Sequence, residues 1–245
     1  MTPDLTGRTV IVTGAGSGIG KAVAIQAAVI GANVVVTDIK GQDETAAEIG
    51  AAAEAHELDV TDAGAWSRVV EAVVASRGGV YGLVNNAGIA SATDSLAVQT
   101  EEGWDAMIGV DLKGVWLGMR AVLAPMLAAG EGSIVNVASV AGLIGVSDVL
   151  AYSAAKGGVI AMTRQVSIQH AKDQIRVNAV CPGVTQTPIL GDISDELLAA
   201  ISNITPMGRL GQPDDIAGLT SYLLSPASAF LTGQAIAICG GFSVQ

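Results

Sequence analysis

The 245 residues are enough for one large domain, and with half of them hydrophobic and 14% charged the chain is not a disordered one. A net charge of −11 with no Lys/Arg cluster excludes a nucleic-acid binder and disfavours anionic membranes and acidic protein partners. The mean hydropathy is +0.52, yet no apolar run of about 18 residues suggests a bilayer span, so the excess is assigned to the core and subunit contacts.

The N-terminus, MTPDLTGRTV, shows no charged-then-apolar signal pattern, which places the protein in the cytoplasm. Short apolar, β-branched runs then recur: TVIVT (9–13), NVVVTD (33–38), HELDV (56–60), YGLVNN (81–86), SIVNVAS (133–139), IRVNAVCPG (175–183) and AIAICGG (235–241). Runs apolar on both faces suit strands buried in a parallel sheet. Between them lie helix patterns. Trp66, Val69, Val70, Val73 and Val74 make one stripe at helical spacing. Segment 101–129 is long and apolar, with Pro125 as an expected kink. Segment 151–171 is apolar on several faces, and Ala154, Ala155, Gly157 and Gly158 would admit a close helix neighbour. The alternation gives an α/β fold: one domain, 1–245, built as a Rossmann-like doubly wound parallel sheet of about seven strands with helices on both faces.

The first strand runs into a glycine-rich turn and a helix start, TVIVTGAGSGIGKAVA (9–24). Gly14, Gly18 and Gly20 permit positive φ and close backbone approach to a pyrophosphate, and the helix aims its positive end at that charge. Asp38 ends the second strand, where a carboxylate can accept both hydroxyls of an adenosine ribose and repel a 2′-phosphate. Ile39 follows it, and Ser17 rather than a basic residue precedes Gly18. This favours NAD over NADP, with the nearby Lys40 as the one contrary charge.

AYSAAKGG (151–158) places Tyr152 and Lys156 four apart, one turn apart on one helix face. A neighbouring ammonium stabilises a phenolate, so Tyr152 can take a proton from an alcohol or give one to a ketone. Ser139, thirteen residues before the tyrosine at a strand end, can hydrogen-bond the substrate oxygen.

These residues resemble the short-chain dehydrogenase/reductase family over essentially the whole chain. TGAGSGIG (13–20) is similar to its cofactor turn, with Gly14, Ser17, Gly18, Ile19 and Gly20 as contacts. Asp59 and Val60 resemble the pair beside the adenine, and NNAG (85–88) the element that stabilises the sheet and lines the cofactor through Asn86, Ala87 and Gly88. PGVTQTP (182–188) resembles the loop on the nicotinamide amide, with Pro182, Gly183, Val184 and Thr187. The resemblance implies hydride transfer at the nicotinamide C4, usually on the pro-S face. It makes Tyr152 the acid/base, Ser139 the orienting hydroxyl, and Lys156 the residue that assists the tyrosine and holds the nicotinamide ribose. It also implies a homotetramer built through the two long helices.

The chain departs from that pattern at Asp111, 28 positions before Ser139, where the family usually has Asn. There the family residue helps hold a water beside the lysine, chiefly through its backbone carbonyl. Asp111 is therefore expected to keep a place in the proton relay, with its carboxylate favouring the ammonium of Lys156 and perturbing the pH dependence. Lys113, about 200° further round a helix, is expected on a solvated or interface face. Cys239 stands where the family usually has Asp, and is expected to pack as a small buried residue. Cys181 is likewise expected as a buried free thiol. His56 and His170 read as structural, no metal motif is present, and Ser17 and Ser133 lack the GxSxG setting of a hydrolase.

A substrate lid is expected near 185–212. Val140, Leu143, Ile144 and Val146 after the serine, Ile189, Leu190 and Leu197 in the lid, and Ala90 and Ala92 after NNAG would line an apolar pocket. That suits a hydrophobic secondary alcohol or ketone as the small-molecule partner. The alternatives are a 3-oxoacyl-(acyl-carrier-protein) reductase using NADP, which would want basic surface absent from LAAGEGS (127–133), and a non-catalytic NAD-binding regulator.

Overall fold

Seven strands lie side by side in one parallel sheet, in the order β3–β2–β1–β4–β5–β6–β7. They are β1 (Thr9–Thr13), β2 (Asn33–Asp38), β3 (Ala53–Glu57), β4 (Gly82–Asn85), β5 (Gly132–Val137), β6 (Ile175–Pro182) and β7 (Ala235–Ile238). The structure is a computed structural model that describes residues 2–90, 94–191 and 194–245.

The strands are apolar throughout because successive side chains enter two different cores. Ile11, Val35, Leu83, Ile134 and Val177 point into one, which is shared with α3 (Ala63–Arg77), α5 (Gly114–Ala129) and α6 (Leu150–His170). Their neighbours Val10, Val12, Val34, Val36, Val84, Val135 and Val180 point into the other, against α1 (Gly18–Val29) and α8 (Pro213–Leu224). Each such fully buried Val or Ile contributes about 1.5–3 kcal/mol. Helix α2 (Gln42–Ile49) packs beside β2 and β3.

The third strand falls at 53–57 rather than 56–60. Its register with β2 runs from Val34 opposite Ala53 to Asp38 opposite Glu57. Leu58 and Val60, whose apolar character suggested a later strand, are 2% and 7% exposed because the chain beyond β3 turns inward over the sheet. Trp66 Nε1 donates to the Val60 carbonyl at 3.1 Å. In α3 the stripe holds for Trp66, Val69, Val70 and Val73, whereas Val74 is 38% exposed.

Segment 101–129 contains an interruption at a different place from the one expected. Helix α4 (Glu101–Ile108) passes into a π-helical turn, Gly109–Lys113, before α5 begins, and α5 continues unbroken through Pro125. The N–H of Gly114 bonds to the Gly109 carbonyl, the wide spacing of a π turn. Together these 29 residues do reach the length and hydropathy of a membrane span. They pack instead against α3 and α6, and carry the buried charge of Asp111. Lys113 is exposed. At Gly158 a Cβ would come within 2.7 Å of a Leu112 methyl, so the missing side chain leaves room for Leu112 of the π turn to pack against α6.

Candidate active site

The strand order reverses between β1 and β4, the point at which open α/β sheets bind ligands at their C-terminal ends. A cavity of about 830 Å³ lies there. Its floor is stitched across the switch point by side chains. Thr13 Oγ1 accepts the N–H groups of Asn86 and Ala87, both at 3.0 Å, and Asn86 Nδ2 donates to the carbonyls of Thr13 (2.9 Å) and Gly14 (3.1 Å). Below it, Asn85 Nδ2 donates to Asn136 Oδ1 at 2.9 Å and Asn136 Nδ2 to Thr163 Oγ1 at 2.9 Å, so the buried amides are paired.

The β1–α1 turn fits a pyrophosphate. Gly14 has φ +62°, and a Cβ there would stand 2.8 Å from Ala87 Cα. Ser17 caps α1 in an extended conformation without a side-chain bond, and the first turn holds no acid. The free N–H groups of α1 therefore face the cavity with the positive end of the helix dipole. Gly20 is not at the cavity wall. A Cβ there would lie 2.2 Å from the Gly14 carbonyl oxygen, so this glycine serves the packing of helix against turn.

Beside the second strand, Asp38 Oδ2 accepts from Gly16 N (2.9 Å) and Oδ1 from Ile39 N (2.7 Å). Oδ1 also accepts from Lys40 N at 3.3 Å, so Oδ2 is the oxygen that keeps a further lone pair for a ligand hydroxyl. Asp59 accepts both the N–H (2.8 Å) and the hydroxyl (2.7 Å) of Thr61. Asp38, Ile39, Asp59 and Val60 line the cavity, and the exposed Lys40 does not.

The Ser–Tyr–Lys group lies on the opposite wall. Ser139, just beyond β5, is 9% exposed and accepts from Ala141 N at 3.1 Å. Tyr152 sits in the first turn of α6, whose N–H groups at Ala151 and Tyr152 donate to the buried Asp94 carboxylate. Lys156 Nζ donates to the Val137 carbonyl at 3.1 Å, lies 5.4 Å from the centre of the Tyr152 ring, and stands 3.0 Å from Asp111 Oδ1. This last contact is an ion pair without hydrogen-bond alignment. Asp111 Oδ2 accepts from Ile89 N at 3.0 Å. Burial opposes the charge on Lys156, but Asp111 and Tyr152 more than offset it and raise its pKa above the ordinary lysine value.

The cavity brings together Gly14, Ser17, Gly18, Ile19, Asn86, Ala87, Gly88, Pro182, Gly183, Val184 and Thr187 with Asp111, Ser139, Tyr152 and Lys156. Of the apolar candidates, Ala90, Val140, Val146, Ile189 and Leu190 line it. Leu143 and Ile144 do not: a short 3₁₀ turn at Val140–Gly142 carries the chain away, leaving Leu143 38% exposed. Leu197, on α7 (Asp195–Ile204), is 50% exposed and outside the wall. Ala92 lies outside the described residues. Sequence reasoning missed Asp94, Thr61, Ile89, Val110, Val149 and Phe242. Only Val110, Ile89 and Thr61 carried a signal, by adjoining Asp111, NNAG and Val60. Cys181 is buried, and burial pushes its thiol up to about 11. Cys239 is only half-buried, with its sulfur 3.3 Å from Ser243 Oγ. His56 and His170 each sit beside a surface carboxylate away from the cavity.

A doubly wound parallel sheet with a phosphate-type turn and a Ser–Tyr–Lys group at its switch point defines a dinucleotide-fold oxidoreductase. Residues 14–243 match the family model described as enoyl-(acyl carrier protein) reductase. Cyclohexanol dehydrogenase of Acinetobacter sp. (strain SE19) is 36% identical, across 99% of this chain and 98% of that protein. The 3-oxoacyl-[acyl-carrier-protein] reductase of Thermotoga maritima is 39% identical, across 98% and 99%. A crystal structure of a short-chain type dehydrogenase/reductase from Mycobacterium marinum superposes with a TM-score of 0.94 at 32% identity, over 99% of this chain and 98% of that one. The chain belongs to the short-chain dehydrogenase/reductase family, oxidoreductases that typically bind a nicotinamide cofactor.

Proposed function

We propose that the protein transfers hydride between NAD(H) and an uncharged, hydrophobic secondary alcohol or its ketone. The observation that carries this reading is the composition of the cavity wall. Ser139, Tyr152 and Lys156 meet there among apolar side chains, and Lys156 is the sole Lys or Arg lining it among the described residues. Its charge is already met by Asp111. No cation lining the cavity remains to clamp a substrate carboxylate or phosphate, and beside Asp38 the one cation is the exposed Lys40, outside the wall. A relative named for cyclohexanol fits this neutrality better than one named for a carrier-protein substrate.

Bound NAD supplies the hydride acceptor or donor. In oxidation, Tyr152 as phenolate takes the hydroxyl proton while Ser139 orients the oxygen. In reduction, Tyr152 as phenol returns that proton to the carbonyl oxygen. Lys156 stabilises the phenolate and holds the nicotinamide ribose. Asp38 receives the adenosine ribose, and Val184 and Thr187 the nicotinamide amide. The segment 185–212 acts as a lid. It is closed at its base by the pairing of Thr185 with Gly211, and α7 within it buries no residue. Exposed Trp104, Trp116 and Ile168 on α4, α5 and α6 supply apolar contacts for a cytoplasmic homotetramer.

Incubation with NADH or NADPH and a panel of cyclic, open-chain and carboxylated ketones tests the reading. NADH-dependent reduction of neutral ketones is expected. Preference for NADPH and acetoacetyl carrier substrates would establish the carrier-protein reductase instead, and tight NADH binding without turnover a regulator.

A further inference from the structure

We propose that Asp111 is a positioning residue that keeps Tyr152 in its proton-donating form to higher pH, by opposing the charge of Lys156, and so tunes the site toward ketone reduction. The inference rests on the reaction proposed above and concerns the one position where the proton-relay residues depart from the family pattern.

The geometry is specific. Asp111 is 0% exposed, Lys156 3%, and their charged atoms are 3.0 Å apart. The π turn Gly109–Lys113 presents the carboxylate, and α6 presents Lys156 and Tyr152. Asp94, whose carboxylate accepts the backbone N–H of Tyr152 at 3.0 Å, is a second buried acid beside the tyrosine and is common to wild type and variants. The other groups that contact the pair, among the described residues, are neutral. They are the Ile89 N–H from the loop after β4, the Val137 carbonyl and Ser139 hydroxyl at the end of β5, and the Cys181 thiol on β6. Cys181, raised to about 11, carries no charge over the working range. The remaining acids of the cavity, Asp38 and Asp59, lie at the adenosine end, beyond β2 and β3.

With a neutral residue at position 111, the phenolate would face an uncompensated ammonium. Here it faces an ion pair, whose field at the phenol is weaker. The protonated tyrosine persists to higher pH, which favours donation to a carbonyl and delays the phenolate that alcohol oxidation requires. An opposite charge within about 4–6 Å moves an ionisation by roughly 1–3 units. Asp111, 3.0 Å from the ammonium, cancels part of that, so a displacement of about one unit, tenfold in the tyrosinate equilibrium, is expected.

Asp111→Asn keeps the size and an acceptor for Ile89 N while removing the charge, and Asp111→Ser is a second neutral variant. Full-length protein, with and without NAD⁺, is titrated by tyrosinate absorbance, subtracting in each background the matching Tyr152→Phe protein. The tyrosinate midpoint should fall by about one pH unit in the neutral variants. The rising limb of alcohol oxidation should move down with it, and the plateau of ketone reduction should end earlier. Coincident titrations in wild type and variants overturn the proposal, as does loss of folding in both variants, which would make Asp111 a packing residue. The absorbance midpoint needs no turnover. A shifted midpoint in a protein inactive on every alcohol would therefore reject the assigned reaction while leaving the electrostatic relationship standing.

Discussion

Asp94 holds the start of the helix that carries Tyr152. Its two carboxylate oxygens accept the N–H groups of Ala151 at 2.7 Å and Tyr152 at 3.0 Å. The residue is 1% exposed, and the positive end of α6 favours its charge. Asp94→Ala leaves two N–H groups at a buried helix end without their acceptor, a loss of about 2–3 kcal/mol. Urea unfolding should show that decrease at unchanged slope. Turnover should fall while NADH affinity holds, because the tyrosine is displaced and the phosphate turn is not. Equal stability of wild type and variant would refute the anchoring role.

Tyr152→Phe removes the one hydroxyl assigned to proton transfer and leaves the packing of α6 in place. Loss of general acid–base catalysis should lower kcat by about 10²–10⁴-fold. NADH binding, followed by its fluorescence, should change little, and a variant retaining most of its turnover would remove Tyr152 from the mechanism.

At Asp38 the carboxylate does two things at once. It ties the β1–α1 turn to β2 through Gly16 N, and it lines the cavity with one lone pair of Oδ2 left for a ligand. Asp38→Ala should therefore weaken NADH binding and lower stability together, while the repulsion of a 2′-phosphate disappears. The ratio of NADH to NADPH affinity should fall by about tenfold, the worth of one charged hydrogen-bond partner. Asp38→Asn, which keeps one acceptor for Gly16 N and sets its NH2 against the N–H groups of Ile39 and Lys40, should recover part of the stability but not selectivity. Isothermal titration with both cofactors separates the two effects.

Much of this architecture is legible in the sequence, for a definite reason. Strands such as TVIVT read clearly because Ile11 and its neighbours Val10 and Val12 are buried on opposite faces. β3 reads poorly because Ala53–Glu57 is a polar edge strand, whereas Leu58 and Val60 are buried just after it. The π turn is invisible to periodicity, since apolar residues continue through it. The flanking Gly109 and Gly114 and the isolated Asp111 were its only marks. Glycine spacing cannot separate Gly14, on the cavity wall, from Gly20, which packs against the turn. The Asp94 cap joins residues more than fifty positions apart, a relation that no local pattern encodes.

Arg209 and Asp215 form a two-pronged pair at the base of segment 185–212, with bonds of 2.6 and 2.9 Å. The guanidinium, helped by Gln212 N, holds the Asp215 carboxyl at about 2, below its ordinary value of 3.8. A carboxyl lowered in the folded state adds stability that is present above pH 3.8 and disappears as the pH falls toward 2. Arg209→Gln should return the Asp215 titration, read by carboxyl NMR, toward 3.8. Because the pair is solvent-exposed, global stability at neutral pH should change little. A titration unmoved by the substitution would assign the shift to the helix N-terminus rather than to the arginine.

Gly118 sets two physical effects against each other. It lies inside α5, where Gly→Ala ordinarily stabilises a helix by about 1 kcal/mol. Its missing Cβ, however, would stand 2.3 Å from Asn85 Oδ1 and 2.9 Å from the Trp66 ring. Asn85 has little room to yield, since its amide also holds Asn136 across the sheet and through it Thr163 on α6. Overpacking of this kind costs about 1–3 kcal/mol, and a disturbed buried amide adds to it. The steric term wins, so Gly118→Ala should unfold at lower urea concentration than wild type despite its better helix propensity. Trp66 fluorescence should report the displaced ring. A stabilised variant would mean that α5 can move away from β4 at little cost, and that the Asn85–Asn136–Thr163 chain does not fix their separation.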